Sequence, residues 1–232
     1  MSSSIPSSPL LRLPKELRYD IYDHLCSQEP NHNHTAQTQE RLITYIDRSA
    51  PTELSVTCRF LCDEIRAYFY SKATLGFYPL ASSCIFDRPI EPTALRAIQN
   101  ASRICICVFW NDQSNGGVID KHTFPYSMNG WLADLVDLLL REAKMLEFVT
   151  LRVYNDMPLA VGWELKEWML KPLERTAGKF RWGLYLVWAR EKEEVELRER
   201  LTVFLKELNG GVAPVVEQKP ALDLEMDSCC VL

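Results

Sequence analysis

The sequence has no excess of basic charge. Lys and Arg total 26 against 31 Asp and Glu, giving a net charge of −5, and the pI is near 5.5. A general nucleic-acid binder needs a basic face to meet phosphate, so no nucleic-acid partner is expected. Long apolar runs are missing too, and none approaches the ~18–20 residues of a membrane-spanning helix. The start, MSSSIPSSPL, has neither a basic segment ahead of an apolar core nor a glycine at position 2. No secretory signal and no N-myristoylation are therefore expected. Enzyme signatures are also lacking: there is no G-x-S-x-G elbow, no G-x-x-x-x-G-K-[ST] loop, no H-E-x-x-H and no G-x-G-x-x-G. The chain is expected to be no enzyme and to need no cofactor.

What is present is an ordinary globular composition, 47% hydrophobic and 25% charged over 232 residues, enough for a small module and a larger domain. The eight cysteines do not read as a disulfide framework, because no secretory context supports one and the core is large enough without staples. Cys58 and Cys62 lie one helical turn apart, and Cys105 and Cys107 share one face of a strand. Both pairs are expected to be small buried apolar residues in a reduced, intracellular chain. His24, His32 and His34 with Cys26 sit in a polar stretch without the second ligand pair that zinc requires, so no metal site is expected. Asp120, Lys121 and His122 read as a solvated loop.

Residues 1–8 are Ser/Pro-rich and are expected to be disordered. Pro14 suits a helix start, and Leu17, Ile21 and Leu25 then form one apolar stripe. Polar residues 27–39 break that helix, and LITYI at 42–46 could be a helical turn or a strand. A second helix opening at Pro51 would carry Leu54, Cys58, Leu61, Ile65 and Tyr68 or Phe69 on one face. From residue 73 strands at 73–80, 103–110, 147–154 and 180–188 alternate with helices at 92–101, 130–146, 162–171 and 190–208. Pro172 and Asn209-Gly210 supply the last two stops.

This order predicts an α+β or α/β fold: a helical module at 9–72 with a polar insertion at 27–39, then an α/β domain at 73–208 with a mainly parallel sheet, then a flexible tail at 209–232. The roughly forty-residue strand spacing also allows an irregular leucine-rich-repeat-like arc. Strand 103–110 is apolar on both faces, with Ile104, Ile106 and Val108 opposing Cys105, Cys107 and Phe109. Strand 180–188 is too, with Leu184 and Leu186 opposing Tyr185 and Val187. Strand 147–154 alternates Val149, Leu151 and Val153 with Thr150, Arg152 and Tyr154, so one wet face is expected. Of the four late tryptophans, Trp163, Trp168, Trp182 and Trp188, most should be core, with a partner groove as the alternative. The charge run 190–200 reads as a solvated helix face.

The segments LRLPKELRYDIYDHL at 11–25 and TELSVTCRFLCDEIRAYFYSKATLGF at 52–77 resemble the amino-terminal module of a large group of fungal F-box-like proteins. Those carry LPxELRxxIYxxxL followed by TCRxxxxEaxxxxYsxxtfxF. The resemblance implies a docking module that binds a Skp-type adaptor of a cullin ubiquitin ligase and brings it an unknown client protein. It implies contacts by Leu13, Pro14, Leu17 and Ile21, supported by Val56, Cys58 and Phe60 of the second helix, in the manner of a helix in a groove. The alternative is that these residues pack on the α/β domain and bind nobody. The insertion at 27–39 and the VTCRF spacing depart from a standard F-box.

The final residues Cys229-Cys230-Val231-Leu232 fit the C-a-a-X prenylation pattern, with leucine pointing to geranylgeranyl on Cys229. The expected location is the cytoplasm, peripherally on the cytosolic face of internal membranes. Chance is the alternative.

Overall fold

The structure is a computed structural model that describes residues 9–25, 43–45, 58–79, 90, 92–110, 126–155, 162–189 and 191–216. A 3₁₀ turn at Pro9–Arg12 leads into α1 (Lys15–Leu25). Strand β1 (Ile43–Tyr45) follows, then α2 (Arg59–Lys72) and β2 (Thr74–Phe77). The rest alternates: α3 (Pro92–Asn100), β3 (Arg103–Phe109), α4 (Tyr126–Glu142), β4 (Phe148–Tyr154), α5 (Trp163–Leu170), a 3₁₀ turn (Lys171–Thr176), β5 (Arg181–Trp188), α6 (Glu191–Leu208) and β6 (Val215–Val216).

The strands form one six-stranded sheet in sequence order, β1-β2-β3-β4-β5-β6. β1 runs antiparallel to β2, and every later pair is parallel. The α/β fold and mainly parallel sheet read from the sequence are thus present, and the Ile43–Tyr45 part of LITYI is a strand. Right-handed crossovers between strands laid down in order place successive helices on the same side of the sheet. The main core agrees. Leu75, Ile104, Ile106, Leu151 and Leu184 of one sheet face cluster with α3–α6 residues such as Ile98, Leu135, Leu170 and Leu201.

α4 begins one turn before the expected Gly130, which lies inside the helix with open space around it. A glycine there costs helix propensity but does not force a start. Asn209, Gly210 and Gly211 end α6 as expected. Both glycines take positive φ, 64° and 95°, and the Gly211 amide bonds Lys206 O at 2.8 Å. The Asn209 side chain then imitates a strand, accepting from Trp182 N at 2.7 Å and donating to Trp182 O at 3.0 Å.

Two strand-face assignments change. Leu151 pairs with Leu184 but Arg152 pairs with Leu186, so Tyr185 is an extra residue in a bulge. Val187 therefore joins the main core in place of Leu186. The second face of β4 is not wet, since Thr150 and Arg152 are both buried.

The amino-terminal module runs directly into the sheet. Ala73, fully buried, caps α2 through a bond to Phe69 O and turns into an extended conformation that begins β2. Among the described residues, no helix is long and apolar enough to cross a membrane.

Candidate functional site

α1 and α2 pack through a small cluster of Tyr22, Leu61, Ile65 and Tyr68. Tyr19 stacks obliquely on Tyr68 with centroids 4.3 Å apart. A polar lock sits on the same inner face. Arg18 Nε and Nη2 donate to Glu64 Oε2 and Oε1 at 2.9 and 2.6 Å, while Nη1 donates to Leu13 O. The fully buried Tyr22 donates its hydroxyl to Glu64 Oε2 at 2.9 Å. Hydrogen bonds from Arg18, then from Tyr22, hold the Glu64 pKa below the ordinary carboxylate range. Burial, reinforced by the Glu64 carboxylate, pushes the Tyr22 phenol up to about 12.

The outer face carries the residues expected to dock. Leu17 and Phe60 are 49% and 57% exposed, and Leu25, the last residue of the same stripe, is 48% exposed. Pro14 is exposed, and Leu13 and Ile21 are half-buried. The Arg18 guanidinium lies 5.9 Å from the Phe60 ring centroid. One of the supporting residues is placed differently from expectation. Cys58 is extended (φ −159°, ψ 159°), so α2 starts at Arg59, and Pro51 and Leu54 lie outside the described residues. The half-buried Cys58 side chain packs against the inner cluster rather than joining Phe60. Val56 and Cys229 lie outside the described residues, as do 27–39 and the Asp120–His122 cluster.

A second cluster, unread in the sequence, occupies the sheet face away from the main core. Arg152, 5% exposed, sits 4.5 Å from the Tyr185 ring centroid and donates to the Tyr154 hydroxyl at 3.2 Å. The bulge at Tyr185 is what brings that ring across the guanidinium. Burial acts to lower the Arg152 pKa, but Tyr154, Cys105, Cys107 and Tyr78 outweigh it and the net shift is upward. Burial also raises Tyr78 and Cys107, and takes Tyr154 to about 12. The cluster thus holds a charged guanidinium beside the neutral Tyr78 and Tyr154 phenols and the neutral Cys107 thiol, and a thiol kept protonated is no nucleophile.

The third group lies at the carboxyl ends of the parallel strands. Trp110 and Asn155 directly follow β3 and β4, and their amides bond Tyr154 O and Trp188 O at 2.8 and 2.7 Å. Asn155, buried, donates its side-chain amide to Glu193 in the first turn of α6 at 3.2 Å. Lys166 of α5 is 8% exposed, with its amine 5.2 Å from the Trp110 ring centroid. Burial lowers its pKa, opposed by Glu193 and Glu196. Trp182 is core, whereas Trp163 and Trp188 are half-buried and Trp168 is exposed against Tyr126 with centroids 5.4 Å apart.

No protein-family model, curated protein or solved structure matches this chain.

Proposed function

We propose that the chain is a non-enzymatic adaptor whose α1–α2 module docks on a Skp-type adaptor of a cullin ubiquitin ligase, with the sheet domain presenting the surface for a client protein. The direction of the α1 stripe carries this reading. Leu17 and Leu25, with Phe60 of α2, face solvent, while Arg18 and Tyr22 fill the interior. A helix serving only its own core turns its apolar stripe inward. Large apolar side chains left outside on both helices suit a helix-in-groove contact.

The test is co-purification of the full chain with a Skp-type adaptor, alongside the Leu17→Asp/Phe60→Asp variant. Wild type should bind at micromolar concentration, and the folded variant should lose at least about 100-fold, the loss of two interface anchors of ~1–2 kcal/mol or more each. Absence of wild-type binding at that concentration sinks the ligase reading.

A second reading is a protein-interaction scaffold that never meets the ligase. The lock favours it. Arg18, Tyr22 and Glu64 stand where the F-box-like pattern has its Arg, Tyr and Glu, and all three are accounted for by internal hydrogen bonds. A pattern kept for internal packing needs no adaptor. Under this reading the same outer face binds another protein, so the co-purification separates the two.

For location, the reading under either function is a cytoplasmic protein held on the cytosolic face of internal membranes by geranylgeranyl on Cys229, where Leu232 is the carboxyl terminus. One prenyl chain and a tail with Glu217, Asp223, Glu225 and Asp227 against one lysine give reversible rather than tight association. Intact mass from a eukaryotic host should show the adduct, and Cys229→Ser should move the protein to the soluble fraction. An unmodified terminus in that host would rule the lipid out.

A further inference from the structure

In parallel α/β architectures, chemistry gathers at the carboxyl ends of the strands, where loops and helix starts converge. Here that edge holds a primary amine in an unusual setting. Lys166 is 8% exposed and shares the buried face of α5 with Met169 and Leu170. Its nitrogen faces the Trp110 ring, and among the described residues no carboxylate lies within ion-pair distance of it. A surface lysine keeps its ammonium in water, whereas a buried one tends towards the neutral, nucleophilic form. Glu193 is near enough for its charge to be felt by the amine, and the buried Asn155 fixes that carboxylate by a 3.2 Å hydrogen bond. The three groups come from α5, the first turn of α6 and the residue after β4, so the fold, not local sequence, assembles them.

We propose that Lys166 is an imine-forming site for small, uncharged aldehydes, with Glu193 as the proton carrier. The amine lone pair attacks the carbonyl carbon, a C–N bond forms, and the C=O π electrons move onto oxygen. Glu193, reached through water, carries one nitrogen proton to the alkoxide oxygen to give the carbinolamine, and then carries the second nitrogen proton to the hydroxyl so formed. Water leaves as the C=N bond forms, and no oxidant or reductant is consumed. A desolvated lysine that feels the charge of an acid–base group is an arrangement suited to this step. An amine on a residue only 8% exposed is reached more readily by small carbonyl compounds than by large ones, and Glu193 with Glu196 disfavours anionic ones.

Reductive alkylation of the folded full chain tests this. Substoichiometric propanal with cyanoborohydride is followed by peptide mass mapping at each lysine. Lys166 should be alkylated at least about 10-fold faster than the exposed Lys144, Lys171 and Lys179, and glyoxylate should not show this preference. Glu193→Gln should slow Lys166 alone by about 10-fold or more, at the low end of general acid–base effects. The preference should vanish in denaturing urea, which ties it to the fold. Labelling of Lys166 no faster than those exposed lysines overturns the proposal, and so does a Glu193→Gln chain that keeps the full wild-type preference.

Discussion

Arg18 of α1 and Glu64 of α2 lie 46 positions apart and meet through paired hydrogen bonds of 2.9 and 2.6 Å, with both side chains about nine-tenths buried. Arg18 also holds the carbonyl of Leu13, so one guanidinium fixes the turn before α1 and the angle between two helices. Tyr22 closes the arrangement from beneath. The outer face of the module can be apolar because this lock, with a few aromatic rings, holds the module from the inside.

The lock predicts a stability limit at each end of the pH scale. The Glu64 pKa is depressed in the folded chain, so its contribution is present above the unfolded carboxylate value of ~4.3 and is lost as pH falls through the folded value. The Tyr22 pKa is raised to about 12, so its contribution is present below the unfolded value of ~10 and is lost between there and about 12. Urea unfolding followed by α1–α2 probes should show both limbs. Glu64→Gln should remove the acid limb and Tyr22→Phe the alkaline one. Glu64→Ala at neutral pH should cost about 1–3 kcal/mol, because it strands the buried Tyr22 hydroxyl. An unchanged pH profile in both Glu64→Gln and Tyr22→Phe would remove the lock from the account.

Much of this architecture could be read from periodicity. The alternation from residue 73 located β2 to β5 and the later helices, because two-sided apolar strands and striped helices leave strong local patterns. What could not be read depended on neighbours. The bulge at Tyr185 is a pairing event between β4 and β5, and nothing in RWGLYLVW marks which residue is skipped. Arg152 reads as a wet residue until the strands are assembled around it. On α1 the Leu17–Ile21–Leu25 stripe was visible, but its direction was not. Periodicity gives two candidate faces, and the long-range partner Glu64 decides that Arg18 and Tyr22 point inward. Lys166, Asn155 and Glu193 form no sequence motif, since three separate connections bring them together.

The orientation of the stripe gives a stability prediction independent of any partner. Leu17 and Phe60 are about half exposed or more, so Leu17→Asp/Phe60→Asp should leave the helical circular dichroism unchanged and shift unfolding by no more than ~1 kcal/mol. Tyr68→Asp on the buried side of α2 should instead unfold the module, since burying an unpaired charge costs several kcal/mol. If the outer pair unfolds the module as well, its apolar face is internal core and the docking proposal loses its basis.

The central strands should carry most of the domain's stability. Ile106 is fully buried in β3, flanked by Phe77 of β2 and Leu151 of β4 in register. Ile106→Ala should destabilise the domain by ~2–5 kcal/mol, the transfer loss plus the cavity left between tightly packed layers. Leu184→Ala, at the matching level of β5, should fall in the same range. Chemical denaturation measures both, and a loss under about 1 kcal/mol for Ile106 would mean that β3 is not central.

Gly183 is where the sheet has no room for a side chain. A Cβ there would stand 2.7 Å from Phe148 Cζ and 2.9 Å from Val215 O. The Phe148 ring can swing aside, because it lies at the half-buried end of β4. The Val215 carbonyl cannot, since it belongs to the backbone of β6, which pairs with Gly183 and Leu184. β6 is two residues long with both side chains exposed, so little burial opposes its displacement. Gly183→Ala should therefore cost only ~1–3 kcal/mol overall, the usual range for one forced methyl group, yet release β6 from the sheet edge. Hydrogen exchange resolves the two effects. Protection at Val215 and Val216 should collapse in the variant, while Ile104, Ile106 and Val108 retain theirs. Undiminished protection of β6 would show that the edge accommodates a methyl group and that glycine is not required for the β5–β6 pairing.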